Sequence, residues 1–325
     1  MGHNEEMMPS GVSVVVPVYN SEATLAQLVT GLGHVLPGAA PAWEAILVDD
    51  GSRDDSGRLV DELASKHPWV HTIHLSRNYG QHNATLCGVR AARYDTIITM
   101  DDDLQHPPEI VPLLLAKLRE DYDVVYGTPE KEAHGFFRNL ASVITKLALQ
   151  TAMGVETARG VSALRAFRTD LRRAFADYRS PFVSIDVLLT WATTRFASVR
   201  VPHVERPSGS SNYTFWMLVR HAINMMTGFS TVPLQLASLV GFSFTFLGVL
   251  VLGWVVGRYL VTGSSVAGFP FLASIIAIFA GAQLFALGII GEYLARMHFR
   301  SMERPTYVVR ADSAGEIPSD GGPHG

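Results

Sequence analysis

The sequence has few cysteines and few charged residues, and each shortage argues against particular kinds of site or protein. Cys87 is the only cysteine in 325 residues, so the chain can form neither an internal disulfide nor a cysteine-based metal site. Charged residues account for 17% of the chain and hydrophobic residues for 48%, whereas about one quarter charged is usual in a soluble protein. The formal net charge of −4 argues against nucleic acid as a partner.

Three further patterns are missing. Residues 1–10 lack the basic start and apolar run of a signal peptide, so we expect a short disordered N-terminus followed by a cytoplasmic domain. No Gly-x-Gly-x-x-Gly fingerprint follows the first predicted strand, and no Gly-Lys-Ser/Thr phosphate loop occurs. Dinucleotide oxidoreduction and P-loop phosphoryl transfer therefore lose most of their support.

Short apolar runs alternate with helix-like segments through the first part of the chain, which is typical of an α/β fold with a mostly parallel sheet covered on both faces. The helices are predicted at Ser21–Leu32, after Ser52 and up to Ser65, at Gln81–Arg93 and at Val111–Arg119. The strands are predicted at Val12–Val16, Ala45–Val48, Val70–Leu75, Thr96–Met100 and Val124–Tyr126, with further extended pieces at Ser162–Arg168 and Ala197–Val204.

Polar clusters follow three of these strands, at 19–20, 49–50 and 101–105. In parallel sheets ligands bind outside the carboxyl ends of the strands, so the clusters predict one site. If the fourth strand continues into its cluster, Asp101 and Asp103 point the same way and share a Mg²⁺ or Mn²⁺ ion, with Gln105 as a neutral ligand. The alternative is a solvated acidic turn in which Asp103 caps a helix.

The apolar excess collects after Ala222, which divides the chain into a soluble and a membrane part. No charged residue or histidine interrupts 222–257 or 259–291, and a spanning helix needs roughly 20 apolar residues. We therefore expect a transmembrane hairpin at 231–297, with spans near 234–256 and 269–290. The alternative is two buried helices of a soluble core.

The segments around this hairpin indicate its orientation. An amphipathic helix is predicted at 213–230 and a tail at 298–325, of which the part from Ala311 is expected to be disordered. Arginines flank the hairpin at its two ends, whereas its turn carries only Arg258. By the positive-inside rule, the domain at 11–212 and the tail face the cytoplasm of a multi-pass plasma-membrane protein.

Three motifs, taken together, resemble the pattern of a single protein family. Pro17-Val18-Tyr19-Asn20, Val48-Asp49-Asp50-Gly51-Ser52 and the stretch from Met100 to Pro108 resemble glycosyltransferase family 2. Within it, the chain is similar to the dolichyl-phosphate mannose synthases and the bacterial polyprenyl-phosphate glycosyltransferases. The resemblance implies a GT-A fold, a nucleotide-sugar donor, a polyprenyl phosphate acceptor and a homo-oligomer that assembles through its spans.

The resemblance also implies roles for individual residues. Asp103, Arg138 and Arg206 would serve catalysis, Arg138 and Ser142 would grip the lipid phosphate, and Asp101, Asp103 and Gln105 would hold the metal. Arg165 and Arg168 would lie near the active site. Asp186 would orient groups there, act as a base, or lie on a helix surface. The nucleotide sugar would be bound by Pro17, Tyr19, Asn20, Val48, Asp50, Asp101, Asp102, Asp103 and Arg206.

Three positions depart from the family pattern: Asn212 replaces a lysine, Pro129 an arginine and Arg159 an acidic residue. They leave the sugar undetermined. Two alternatives to lipid glycosylation stay open, a membrane enzyme that extends a polysaccharide and a non-catalytic membrane scaffold of the same fold. Enzymes that extend a polysaccharide usually have more spans and a Gln-x-x-Arg-Trp motif. The scaffold is disfavoured by the intact acidic set at 101–105.

Overall fold

The computed structural model describes residues 8–129, 161–180, 183–202, 232–263, 268–302 and 304–312. The chain divides into two compact units. The first comprises Met1–Phe215 with Glu303–Gly325, and the second comprises Trp216–Met302. The helix predicted at 213–230 lies outside the described residues, as do Arg138, Ser142 and Arg206.

The first unit contains one eight-stranded sheet. Its strands are β1 (Val12–Val18), β2 (Trp43–Asp49), β3 (Val70–Leu75), β4 (Thr96–Thr99), β5 (Val124–Pro129), β6 (Arg165–Arg168), β7 (Phe196–Val201) and β8 (Val309–Asp312). They lie in the order β7-β5-β6-β4-β1-β2-β3-β8. The pairs β1–β2, β1–β4, β2–β3 and β5–β7 are parallel, whereas β6 runs antiparallel to β4 and β5, and β8 runs antiparallel to β3.

Helices cover both faces of this sheet, because its central strands are apolar on both sides. The helices are α1 (Glu22–Ala39), α2 (Ser56–Lys66), α3 (Gln81–Ala91), α4 (Val111–Leu118) and α5 (Ile185–Ala192), with 3₁₀ turns at Pro108–Ile110 and Thr169–Phe175. Every residue of β1 is buried. One apolar cluster joins β1 to α1, α2 and α4, and the other joins β1 and β2 to α3 and α5.

Two features at the ends of the sheet differ from the sequence-based prediction. β4 ends at Thr99, so the acidic cluster that follows does not continue the strand. Ala311 belongs to β8, which pairs with β3, so the prediction that disorder begins there is wrong. Thr306 and Tyr307 just before it are buried.

The second unit contains two long helices, α6 (Val232–Thr262) and α7 (Phe269–Ser301). They pack on each other where Phe244 meets Phe279 edge to face, 6.0 Å between ring centroids. Both are long and apolar enough to cross a membrane. Their large apolar side chains are exposed, for example Phe242 at 72%, so the alternative of two buried helices in a soluble core is wrong.

Candidate active site

A cleft of about 330 Å³ lies at the carboxyl ends of β1, β2 and β4. Parallel strands place the residues that follow them at one edge of the sheet, so three separate motifs meet there. The cleft is lined by Pro17, Val18, Tyr19, Asp50, Asn78, Gln81, Asp101, Asp102 and Asp103.

The acidic cluster lies in a turn after β4. Asp101, Asp102 and Asp103 all line the cleft, so the alternation of a strand is not what gathers them. The Asp103 carboxylate accepts the Gln105 backbone N–H at 3.1 Å, and Leu104 has a left-handed φ of 59°. This tight turn presents consecutive carboxylates to one side, which an extended strand cannot do.

Asp102 ties the cluster to the loop after β1. Its carboxylate accepts the Tyr19 N–H at 3.2 Å and a short hydrogen bond from the Ser21 hydroxyl. Ser21 directly precedes α1, and its hydroxyl makes this bond and does not cap the helix. Burial, reinforced by the neighbouring Asp103, raises the pKa of Asp102.

Asp50 holds a loop that the sequence-based site did not include, the Asp50 loop (residues 77–80). The Tyr79 and Gly80 N–H groups donate to its two carboxylate oxygens at 2.7 and 2.8 Å. Burial raises the pKa of Asp50, and these two hydrogen bonds oppose the rise. Asn78 of this loop and Gln81 directly after it also line the cleft. The polar residues that follow β3 were the sequence signal for this loop.

Asp49, the other acid of this motif, faces away from the cleft toward His74. The His74 Nδ1 lies 3.0 Å from Asp49, and its Nε2 lies 2.9 Å from Asp61. The second oxygen of Asp49 accepts the Ser52 N–H at 2.9 Å. Burial acts to raise the pKa of Asp49, but the hydrogen bonds from His74 and Ser52 outweigh it and leave that pKa lowered.

Three residues expected at the site lie outside the lining of the cleft. The Val48 side chain is fully buried in the core, so a side-chain contact with a ligand is excluded. Asn20 accepts the Arg53 N–H at 2.8 Å and shapes the adjoining loop. Gln105 contributes its backbone N–H to the acidic turn.

Arg165 and Asp186 form a buried ion pair of 2.5 Å, and the Tyr126 hydroxyl donates to the same carboxylate at 3.1 Å. Asp186 is therefore not a helix-surface residue. Arg165 lies opposite Thr99 at the carboxyl end of β4, whereas Arg168 lies opposite Thr96 at the far end. The expectation that Arg168 lies near the active site is therefore wrong.

The charges around the cleft suit a divalent cation. Four carboxylates line it, and no basic side chain is among its described lining residues. An anionic diphosphate would be repelled there unless a hard cation lay between them, and carboxylate oxygens are the ligands that such cations prefer. Within the described residues, no group of three or more His, Cys, Asp or Glu side chains is placed to hold a metal ion, so a cation in this cleft would need ligands from a substrate as well.

Comparisons with known proteins identify a family and relatives that match most of the chain. The family model described as Glycosyl transferase family 2 matches residues 13–171. The chain is 35% identical over 320 residues to an undecaprenyl-phosphate 4-deoxy-4-formamido-L-arabinose transferase of Shewanella sediminis, covering 97% of this chain and 96% of the relative. A transferase of the same name from Pseudomonas savastanoi is 36% identical, covering 93% and 92%.

A solved structure supports the fold. Glucosyl-3-phosphoglycerate synthase from Mycobacterium tuberculosis, in complex with Mn²⁺, UDP-glucose and phosphoglyceric acid, superposes with a TM-score of 0.50. The identity is 18%, and the match covers 67% of this chain and 79% of that one. The predicted GT-A fold, a mostly parallel sheet with helices on both faces, is confirmed.

Proposed function

The chain belongs to glycosyl transferase family 2, and we propose that it transfers a sugar from a nucleotide-sugar donor to a polyprenyl phosphate at the cytoplasmic face of the plasma membrane. The observation that carries this proposal is the cleft where Asp50 and the three acids at 101–103 meet. Relatives that match over nearly the whole chain are named for undecaprenyl phosphate, which supports a lipid phosphate as acceptor.

The proposal assigns the nucleotide to the side of the cleft formed by Pro17, Tyr19 and Asp50, and the diphosphate to the acidic turn. Asp101 and Asp103 would hold a Mg²⁺ or Mn²⁺ ion, which stabilises the negative charge of a nucleoside diphosphate leaving group, and Gln105 would support the turn through its backbone N–H. Gln81 donates to Asp101 at 2.5 Å and fixes the orientation of that carboxylate. Arg206 would act on the donor, and Arg138 with Ser142 on the acceptor phosphate.

The acceptor supplies a nucleophile that is already charged. The second pKa of a phosphate monoester is about 6, so near neutral pH its oxygen attacks the anomeric carbon without a general base. The C–O bond to the nucleoside diphosphate breaks as the new C–O bond forms, with inversion. Asp186 is committed to Arg165, so it is not needed as a base.

The two apolar helices would hold the enzyme where its acceptor is. A search confined to the membrane raises the effective concentration of a water-insoluble substrate. The first unit contains residues from both sides of these helices, which supports a hairpin whose two ends lie on one face of the membrane. A polysaccharide synthase would need further spans to export its product.

Asp103→Ala tests the role of the acidic turn. The purified protein is mixed with undecaprenyl phosphate, Mg²⁺ or Mn²⁺ and a panel of UDP-, GDP- and dTDP-sugars, with the 4-deoxy-4-formamido-L-arabinose donor first. We expect a chloroform-soluble product from the wild type and a loss of at least about a hundredfold in the variant, because the leaving group is no longer stabilised.

Asp170→Ala is the matched control, since it removes the same charge from an exposed residue beyond the far end of β6. It should retain full turnover, and both variants should insert into membranes like the wild type. Undiminished turnover in Asp103→Ala would exclude the assigned role. A large water-soluble product would favour polysaccharide extension, and no product with any sugar would favour the scaffold.

A further inference from the structure

The chain returns to the sheet edge directly after α7, in the return segment (residues 304–312). Within it, β8 pairs with β3, and Val309 lies opposite Leu75. The Ser76 N–H then donates to the Val308 carbonyl at 2.9 Å. The pairing therefore continues past the end of β3, up to the residue that precedes the Asp50 loop.

The same segment also contacts the helix that follows the Asp50 loop. Thr306 and Tyr307 are 1% and 4% exposed, and Tyr307 belongs to the apolar cluster of α3. Arg90 of α3 lies 3.4 Å from both of their hydroxyl oxygens, with its guanidinium 5.6 Å from the Tyr307 ring centroid. Arg90 also donates to the Tyr178 carbonyl at 2.8 Å. Its guanidinium is therefore held between the return segment and the backbone at Tyr178.

The loop between β3 and α3 turns at Gly80. This residue has a φ of 97°, which glycine adopts readily and other residues disfavour. The loop is irregular, and its N–H groups donate to Asp50. Its geometry therefore depends on Asp50 and on how firmly β3 and α3 hold its two ends. The return segment contacts β3 and Ser76 directly before the loop, and it contacts α3 at Arg90, near the carboxyl end of that helix.

We propose that the return segment is a positioning element for the donor cleft, one that holds the Asp50 loop in its Asp50-bound conformation. The inference rests on the proposed function in one respect, namely that the ligand beside this loop is the donor nucleotide. Its consequence is that donor affinity depends on nine residues reached only after the chain has passed through both apolar helices. Loss of their pairing would open the nucleotide side of the cleft and leave the acidic turn intact.

Hydrogen–deuterium exchange of the full-length protein in lipid nanodiscs, without ligand, tests whether the return segment holds the Asp50 loop. In Tyr307→Ala, peptides that cover 76–83 should exchange at least about tenfold faster, while β1 remains protected. Tyr307→Phe keeps the ring and should restore most of the protection. Arg310→Ala, at an exposed position of the same segment, is the control and should match the wild type.

Two truncations guard against a variant that fails to fold. Removal of residues 304–325 should reproduce the faster exchange of 76–83, whereas removal of 313–325 should not. Faster exchange in β1 would mark global unfolding, and the Tyr307→Phe and truncation pairs would then decide. Unchanged exchange at 76–83 in a chain whose return segment exchanges freely would overturn the proposal.

Steady-state kinetics test whether the return segment affects binding of the nucleotide sugar. In Tyr307→Ala, the KM for the nucleotide sugar should rise about tenfold, with kcat and the KM for undecaprenyl phosphate within about twofold of the wild type. A fall in kcat alone would overturn the positioning role. If the wild type transfers no sugar at all, the proposed function fails, and the exchange data still decide whether the return segment holds the loop.

Discussion

At the scale of single residues, His74 supports the loop beside the cleft through its contacts with two aspartates. Its ring bridges Asp49 and Asp61, and Asp49 in turn accepts the N–H of Ser52 in the loop after β2. The hydrogen bond to Asp49 raises the pKa of His74, burial opposes the rise, and the bond to Asp61 adds to it. The protonated ring therefore stabilises the folded protein.

This linkage predicts a pH dependence. Because the folded pKa is raised, the stabilisation is complete below the unfolded histidine pKa of about 6.5 and is lost as pH rises through the folded pKa. Wild type should therefore melt above His74→Gln at pH 6, and the difference should shrink toward pH 9. Thermal unfolding in detergent at stepped pH values measures it.

His34→Gln is the control for this series, because His34 is exposed on α1 and should leave the melting curve unchanged at each pH. A gap between wild type and His74→Gln that stays constant from pH 6 to 9, or widens, would contradict the prediction. It would show that the bridge is equally strong with a neutral ring.

Single residues also show where the sequence was informative. Asp50 and the acids at 101–103 line the cleft, where the motifs placed them. Val48 does not, because a motif read as a string cannot tell which letters face the core. The ion pair of Arg165 with Asp186 joins residues that are 21 apart, and no local pattern reveals such a partner.

At the scale of elements, the parallel strands and the helices between them were predicted from apolar runs, and β3 was predicted at its observed bounds. The antiparallel pairing of β6 and β8 was not predicted. Each of these strands has only four residues, and its partner lies far away in sequence. Short strands carry too little periodicity to indicate direction or register.

The packing of α3 on the sheet depends on one small residue. A Cβ at Gly88 would lie 2.4 Å from Val15 and 3.2 Å from Val48, both buried in the core. Gly88→Ala should therefore destabilise the protein by about 1–3 kcal/mol through overpacking, despite the better helix propensity of alanine. The melting temperature of the variant in detergent measures this effect.

Gly38→Ala in α1 is the matched control, because no atom lies within 4 Å of a Cβ added there. It should be neutral or stabilising by up to about 1 kcal/mol. A melting temperature of Gly88→Ala at or above that of the wild type would contradict the packing described for α3. It would mean that β1 and β2 leave enough space for a methyl group at this position.

At the scale of the whole molecule, chain connectivity constrains the membrane topology. Residues 304–312 belong to the same unit as β1 to β7, although both apolar helices lie between them in sequence. A chain that leaves a folded unit and returns to it crosses a membrane an even number of times. We propose that the two apolar helices supply these crossings, and the arginines at the ends of the hairpin favour a cytoplasmic position for that unit.

Single cysteines should report this topology in intact cells. In a Cys87→Ser background, a membrane-impermeant maleimide should label Gly268→Cys, which lies just before α7, without permeabilisation. Lys66→Cys on α2 and Arg304→Cys after α7 should react only once the membrane is opened. Labelling of Lys66→Cys and Arg304→Cys on opposite sides would exclude a hairpin, because β8 could not then reach β3 in the same chain. Labelling of both in intact cells would keep the hairpin but invert it, and would separate the cleft from any cytoplasmic nucleotide sugar.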